Sequence, residues 1–276
     1  MNPLMSLEQQ TKRLARAYGV HPKKRLGQNF MTSDRFFKLI ASYAELTRSD
    51  VVLEVGAGFG FLTQHLARKA RRVVAVEVDR RLVNALGSQL AGWDNVDLVE
   101  GNILEAPIPA FDKVVANPPF SISSPLLFWL LQRRFASAVL TFQEEFARRL
   151  CAQPGSRDYS RLTVATHIHA GVELLDTVPK EAFYPMPDVN AVIVRLTPRQ
   201  SLPFKLKDEQ IFNELLRSLF SQRNRKVRKA AIGFFRKQHV SDAEASKQAD
   251  RLPFKDRRVR DLSPDEFGAL ANELSQ

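Results

Sequence analysis

Val51-Val-Leu-Glu-Val-Gly-Ala-Gly-Phe-Gly60 decides the fold of this 276-residue chain. The first five residues are a short apolar strand, which runs directly into three glycines at alternate positions, and a helical segment follows through Leu66. Strand, glycine turn and helix open a nucleotide-binding α/β unit. Glycine lets the backbone approach a ligand closely, and the helix start offers free N–H groups to a carboxylate. The spacing Glu54-x-Gly56-x-Gly58-x-Gly60 differs from the dinucleotide pattern G-x-G-x-x-G.

The strands that follow build on that opening. Arg72 to Val78 is the second, with Glu77 near its carboxyl end, where an acid accepts hydrogen bonds from both hydroxyls of a ribose. Val96 to Val99 is the third and ends in Glu100-Gly-Asn-Ile103, which places Asn102 where it could meet the adenine of a bound nucleoside. Lys113 to Ala116 is the fourth and delivers Asn117-Pro-Pro-Phe120. In parallel α/β sheets ligands gather at the carboxyl ends of the strands, and Glu77, Asn102 and Asn117 all fall there.

Two consecutive prolines end a central strand, since each lacks an N–H and fixes φ. An amide, nearby carbonyls and the Phe120 ring are therefore held at a strand end. That set suits a flat amine, with oxygens accepting from its N–H groups and a ring stacking on its face.

Composition narrows the class. The formal charge is +11 with pI near 10, which favours a polyanionic partner, nucleic acid before membrane surface. Cys151 is the sole cysteine, so no internal disulfide forms and a reducing compartment fits. No Cys/His cluster suggests a metal. The first ten residues have no apolar signal core, and the longest apolar stretch, Leu126 to Leu131, is too short to span a bilayer. A soluble, cytoplasmic protein with no membrane partner is expected, and nothing in the chain demands more than a monomer.

The rest of the chain reads as a frame around these strands. Leu7 to Tyr18 is a basic helix, followed by an irregular basic segment from His21 to Phe30. Pro125 to Arg134, Gln143 to Cys151 and Arg161 to Ala170 read as helices, Ser137 to Phe142 and Ala191 to Thr197 as strands, and Phe183-Tyr-Pro-Met-Pro187 as a proline-stiffened loop. After Pro198 the period becomes helical, with Ile211, Phe212, Leu215, Leu216, Leu219 and Phe220 on one stripe. This tail carries 17 Lys and Arg against 11 Asp and Glu. Arg223, Arg225, Lys226, Arg228 and Lys229 cluster within it, and Arg225, Arg228 and Lys229 are predicted to share one helix face that straddles phosphates. The expected organisation is α/β: a Rossmann-like domain over 1–198, with a basic N-terminal segment 1–30, and a small all-helical, RNA-binding C-terminal domain over 199–276.

Leu26-Gly-Gln-Asn-Phe30, Glu54 to Gly60, Asn117-Pro-Pro-Phe120 with Ile122-Ser-Ser-Pro125, Phe183 to Pro187 and Phe220-Ser-Gln-Arg-Asn-Arg-Lys226 occur in the order seen in KsgA-type rRNA adenine dimethyltransferases. The chain resembles that family from about His21 to Leu270. The resemblance implies that the 1–198 domain is a class I methyltransferase, an enzyme that uses S-adenosyl-L-methionine, and no metal, to dimethylate N6 of two adjacent adenosines in a hairpin near the 3′ end of small-subunit rRNA, within a pre-30S-like particle. It implies a cofactor site built from Gln28, Asn29, Phe30, Glu54, Gly56, Gly58, Gly60, Glu77, Asn102, Ile103 and Asn117, with Gln28 and Asn29 closing it. Catalysis would rest on the Asn117 side-chain oxygen, the Pro118 carbonyl and the stacking ring of Phe120. The chain departs from the usual pattern at Phe120, where Tyr is usual, at Asn102, where Asp is commoner, and at Val189-Asn-Ala191, where Val-Asp-Ser is frequent. Its short tail and basic character lean archaeal. Other readings are a large-subunit methyltransferase of the erythromycin-resistance type, a protein-glutamine methyltransferase and a non-catalytic ribosome-assembly factor; the Arg223–Lys229 cluster argues against the protein substrate.

Overall fold

The computed structural model describes residues 5–22, 27–237 and 241–275. Lys23 to Leu26, which hold part of the basic segment and the first residue of the Leu26–Phe30 motif, lie outside the described residues. The chain runs through α1 (Leu7–Ala17), β1 (Phe30–Met31), α2 (Asp34–Tyr43), β2 (Val51–Val55), α3 (Phe61–Ala67), β3 (Arg72–Glu77), α4 (Arg80–Gln89), β4 (Val96–Glu100), β5 (Lys113–Ala116), α5 (Ser123–Leu131), β6 (Ser137–Gln143) and α6 (Glu144–Leu150). It continues through α7 (Arg161–His169), β7 (Ala170–Val178), β8 (Phe183–Tyr184), β9 (Ala191–Pro198), α8 (Glu209–Phe220), α9 (Val227–Arg236), α10 (Asp242–Arg251) and α11 (Pro264–Leu274).

The first compact unit, Met1–Ala147 with Glu173–Pro198, is built on a seven-stranded sheet of order β4-β3-β2-β5-β6-β9-β7. β2, β3, β4, β5 and β6 are mutually parallel, and β9 runs antiparallel to β6. Val52, Leu53, Val73 to Val76 and Val114 to Ala116 are essentially inaccessible, as expected for parallel strands covered on both faces. The chain moves outward from β2 to β3 and β4, then crosses to the other side of β2 for β5, so the strand order reverses between β2 and β5. The register pairs Val55 with Val76 and Glu77 with Glu100, which brings the carboxyl ends of β2, β3 and β4 to one edge.

Strands β7, β1 and β8 escaped the sequence reading. β7 is an edge strand of half-exposed residues with no clean alternation, so period alone does not reveal it. β1 and β8 are two residues each and pair antiparallel, Phe30 with Tyr184 and Met31 with Phe183. That pairing joins the Gln28–Phe30 segment to the proline-rich loop, a long-range contact between strands too short to leave a pattern.

The second unit is Arg148–Val172 with Arg199–Gln276. Residues 148–172, assigned by sequence to the first domain, pack here because Tyr159, Val164 and Ile168 complete the core formed by Phe212, Leu215, Leu219, Phe234 and Phe267. Tyr159 is fully buried and its hydroxyl donates to the Leu262 carbonyl at 2.7 Å. Burial, with Glu266 and Asp265 nearby, pushes its pKa above the usual range. Tyr159→Phe leaves that carbonyl buried without its donor, and is expected to cost about 1–2 kcal/mol in urea unfolding.

Candidate active site

Gly56 and Gly58 have φ of +74° and +60°, a backbone that L side chains rarely adopt. A Cβ on Gly56 would lie 2.8 Å from Pro119 Cδ, and one on Gly27 would lie 2.7 Å from the Ser121 nitrogen. The glycine turn after β2 and the segment before β1 thus press directly against the residues that follow β5. Together they close a cavity at the carboxyl edge of the sheet.

Ten of the sequence-predicted residues line it: Gln28, Asn29, Phe30, Glu54, Gly56, Gly58, Glu77, Asn102, Ile103 and Asn117. Three do not. Gly60 starts α3 at φ +80°, where a Cβ would meet Leu86 Cδ2 at 3.0 Å, so its place is in the turn and the packing behind it. Pro118 is buried but is not part of the lining. Phe120 also stands outside the lining, its ring edge-on to Phe183 with centroids 5.9 Å apart. Sequence reasoning missed Val78, Pro119, Ser121 and Ile122, which also line the cavity. Val78 is 54% exposed at its rim and could have been suspected as an apolar residue directly after Glu77.

The polar groups divide by how they are held. Glu77 is buried; Oε2 accepts from the Gly58 N–H at 3.0 Å, and Oε1 from the N–H groups of Val78 and Asp79 at 2.9 and 3.0 Å. Burial raises its pKa, and the three backbone N–H groups pull the other way. A carboxylate has roughly four lone-pair positions, so acceptor capacity remains. Asn102 is more committed than its sequence position suggested. Its amide donates to Glu105 at 3.0 Å and its oxygen accepts from the Leu104 N–H at 3.2 Å, leaving the second lone pair of that oxygen. Glu54 Oε2 and Asn117 Oδ1 are buried and have no hydrogen-bond partner among the described residues. Burial, reinforced by Glu77, pushes the Glu54 pKa up to about 8. No group of His, Cys, Asp and Glu able to hold a metal occurs among the described residues.

The basic cluster of the second unit sorts differently from its sequence reading. Ser221 to Lys226 form a turn, and Lys226 caps α9, so Arg225 is off the helix and does not share a helical face with Arg228 and Lys229. The physical reason is that a second segment holds this backbone in place. Val259 N–H donates to Arg225 O and Arg260 N–H to Arg223 O, both at 3.0 Å, and Lys226 pairs with Arg258 in an antiparallel bridge. Arg223 is spent on the carbonyls of Arg157 and Tyr159, Arg228 on Asp250, and Lys226 on Asp256. Arg225 and Lys229 are exposed with no ion-pair partner among the described residues. Arg258, which the sequence reading passed over, is exposed, and among the described residues its side chain donates to the Asn224 carbonyl at 2.7 Å. No helix among the described residues is long and apolar enough to cross a membrane.

A mostly parallel sheet, a glycine turn at its strand reversal and carboxylates at the carboxyl ends of β2 and β3 define a class I methyltransferase. The fold is similar to a dimethyladenosine transferase from Plasmodium falciparum, with TM-score 0.74 and 29% identity over 87% of this chain and 95% of that one. It is also similar to the 23S rRNA methyltransferase ErmE, with TM-score 0.65 and 28% identity over 90% and 100% of the two chains. Residues 19–275 match the model of the ribosomal RNA adenine dimethylase family, and the chain belongs to that family. Relatives named probable ribosomal RNA small subunit methyltransferase A are 40% identical in Methanosarcina acetivorans, over 90% of this chain and 91% of the relative, and 38% identical in Pyrococcus abyssi, over 94% of each.

Proposed function

We infer that this enzyme dimethylates N6 of two adjacent adenosines in a 3′-terminal hairpin of small-subunit rRNA, with S-adenosyl-L-methionine as donor. The observation that carries the reading is Asn117 Oδ1, a buried amide oxygen without a partner among the described residues, on a residue that lines a cavity suited to a nucleoside. The curated archaeal relatives favour small-subunit rRNA over the large-subunit substrate in the name of ErmE.

The residues present fit the donor. Glu77 has acceptor capacity for ribose hydroxyls, Asn102 has one lone pair for an adenine amine, and Gly56 and Gly58 let the turn pack against Pro119 and Phe30 in the cavity wall. When bound, S-adenosylmethionine supplies a methyl already activated on a sulfonium, so the protein's task is chiefly placement. The adenine N6 lone pair is delocalised into its ring and is a poor nucleophile. Asn117 Oδ1 and the Pro118 carbonyl would accept the two N6 hydrogens, return density to that nitrogen and stabilise the charge that develops on it. Phe120 would hold the extruded base by stacking, since a base must leave its helix to be modified. On this reading the protein acts on a small-subunit precursor particle, as a monomer and in the cytoplasm.

Transfer of labelled methyl to purified, unmethylated small and large ribosomal subunits tests the reading. Dimethyladenosine in small-subunit rRNA is the expected product; label confined to large-subunit rRNA would reassign the substrate.

RNA affinity offers a second test. Arg225→Gln with Arg258→Gln is expected to weaken binding and to reduce the slope of log K against log salt by about 1 for each phosphate that is no longer neutralised. Arg228→Gln, which removes a cation already paired with Asp250, should change the slope less. Equal slopes in wild type and both variants would remove the turn from the RNA interface.

A further inference from the structure

Thr141 places a hydroxyl where packing asks only for an apolar side chain. It stands in β6, is 0% exposed, and its Oγ1 makes no hydrogen bond among the described residues. Such a group costs stability, since it gives up water and gains no partner. Its surroundings are apolar. Val139, two residues back on the same face of β6, and Ile193, paired beside it from β9, belong to the core cluster that includes Phe37 of α2 and Leu66 of α3.

The strand register sets this hydroxyl beside Asn117. β5 and β6 are parallel and pair Val115 with Val139 and Ala116 with Leu140, so Asn117 and Thr141 stand level one step further on. Level residues of neighbouring strands point to the same face, and strands lie about 4.8 Å apart. Val115 and Val139, each two residues earlier, do meet in one cluster. Asn117 Oδ1 and Thr141 Oγ1 are both buried and both without a partner among the described residues, so neither bonds the other. Thr141 does not line the cavity; it stands behind Asn117.

An amide side chain has one accepting and one donating end. Asn117 Oδ1 is buried, and to accept an N6 hydrogen it has to turn toward the cavity. The same turn carries Nδ2 into the place that the oxygen leaves, where a donor without an acceptor is penalised. We propose that Thr141 is the positioning residue for this step: its Oγ1 accepts from Asn117 Nδ2 when the target base is engaged, and so holds Oδ1 on the amine. The assignment rests on the N6-acceptor role of Asn117 given above. It adds the group that sets which end of the amide faces the substrate.

Substitutions at Thr141 separate positioning from packing. Valine has the shape of threonine without the hydroxyl; serine keeps the hydroxyl and drops the methyl. In thermal unfolding, Thr141→Val should be at least as stable as the wild type, and Thr141→Ser should melt about 2 °C lower because it leaves a methyl-sized gap. In single-turnover transfer from saturating S-adenosylmethionine to unmethylated small ribosomal subunits, the order should reverse. Thr141→Val should be about 10-fold slower and Thr141→Ser within about twofold of the wild type, with S-adenosylhomocysteine affinity alike in all three. Thr141→Ala, which also lacks the hydroxyl, should be slowed like Thr141→Val and supplies the comparison if that variant does not fold. In an Asn117→Ala background, Thr141→Val should bring no further loss, because its partner is already gone. A wild-type rate in the hydroxyl-free variants, equal slowing in Thr141→Ser, or the same further loss in both backgrounds overturns the proposal and leaves the role of Asn117 standing. Full activity of Asn117→Ala overturns the acceptor reading and this inference with it.

Discussion

Asn117→Ala is expected to reduce methyl transfer by about two to three orders of magnitude while donor binding persists. β5 ends at Ala116, and Pro118 and Pro119 stop it from extending, so the Asn117 side chain is presented at the strand end and not paired into the sheet. Its oxygen is buried and makes no hydrogen bond among the described residues, an arrangement that costs stability unless a ligand satisfies it. The alanine variant should therefore fold at least as well as the wild type. Calorimetric titration with S-adenosylhomocysteine should give an affinity within about threefold of the wild type, because Glu54, Glu77 and the glycine turn are untouched, and removal of one acceptor at the margin of a site changes affinity by a fraction of the about 1 kcal/mol of a neutral hydrogen bond. Single-turnover transfer to small-subunit RNA should be nearly abolished. A variant with wild-type turnover would take Asn117 out of the mechanism.

Gly56→Ala is expected to damage both stability and donor binding. The residue sits at φ +74°, which costs an L side chain roughly 1–2 kcal/mol. Its N–H is also committed to the Val76 carbonyl at 2.8 Å, so the backbone cannot easily rotate away. The added Cβ, 2.8 Å from Pro119 Cδ, would push on a rigid ring whose chain neighbours lead back to Asn117. Gly60→Ala is the matched control. It has the same backbone penalty at φ +80°, but its Cβ meets the end of the Leu86 side chain, 3.0 Å away and outside the cavity. Thermal unfolding should show both variants less stable than the wild type. Donor affinity and methyl transfer should fall by about tenfold or more only for Gly56→Ala, the equivalent of about 1.4 kcal/mol. Equal losses in the two variants would mean that the packing of Gly56 on Pro119 has no part in shaping the site.

Much of the site was legible because its residues stand at strand ends, and strand ends are marked in sequence by abrupt changes of chemistry. Val51 to Val55 gives way to glycines, Val73 to Val76 to Glu77, and Lys113 to Ala116 to Asn117-Pro-Pro. A buried parallel strand has to be apolar on both faces, so the first polar or glycine residue after it announces the ligand edge. The five parallel strands, the glycine turn, Glu77 and Asn117 could all be read in that way. So could the helical stripe of the tail, where a 3.6-residue period is imposed by a single buried face.

What the tertiary structure decided are the matters that depend on partners distant in sequence. Only the folded chain pairs Phe30 with Tyr184 and sets Gly27 against Ser121. Only the folded chain moves residues 148–172 to the second unit, because a core is filled by whichever apolar surface fits it and not by chain order. The same holds for charge. Arg223, Arg225, Lys226, Arg228 and Lys229 are equivalent cations in the sequence, but their neighbours bind three of them and leave Arg225 and Lys229 exposed, with Arg258 brought in from a distant segment. Glu54 and Glu77 are likewise two acids at the ends of neighbouring strands in the sequence. Three backbone N–H groups hold the oxygens of Glu77, whereas Glu54 Oε2 is buried with no hydrogen-bond partner among the described residues. Local pattern determines which elements form and where a ligand edge lies, since those follow from the polarity of nearest neighbours. The state of each charged group is decided by solvent exclusion and by hydrogen bonds, and these exist only once the chain has folded around it.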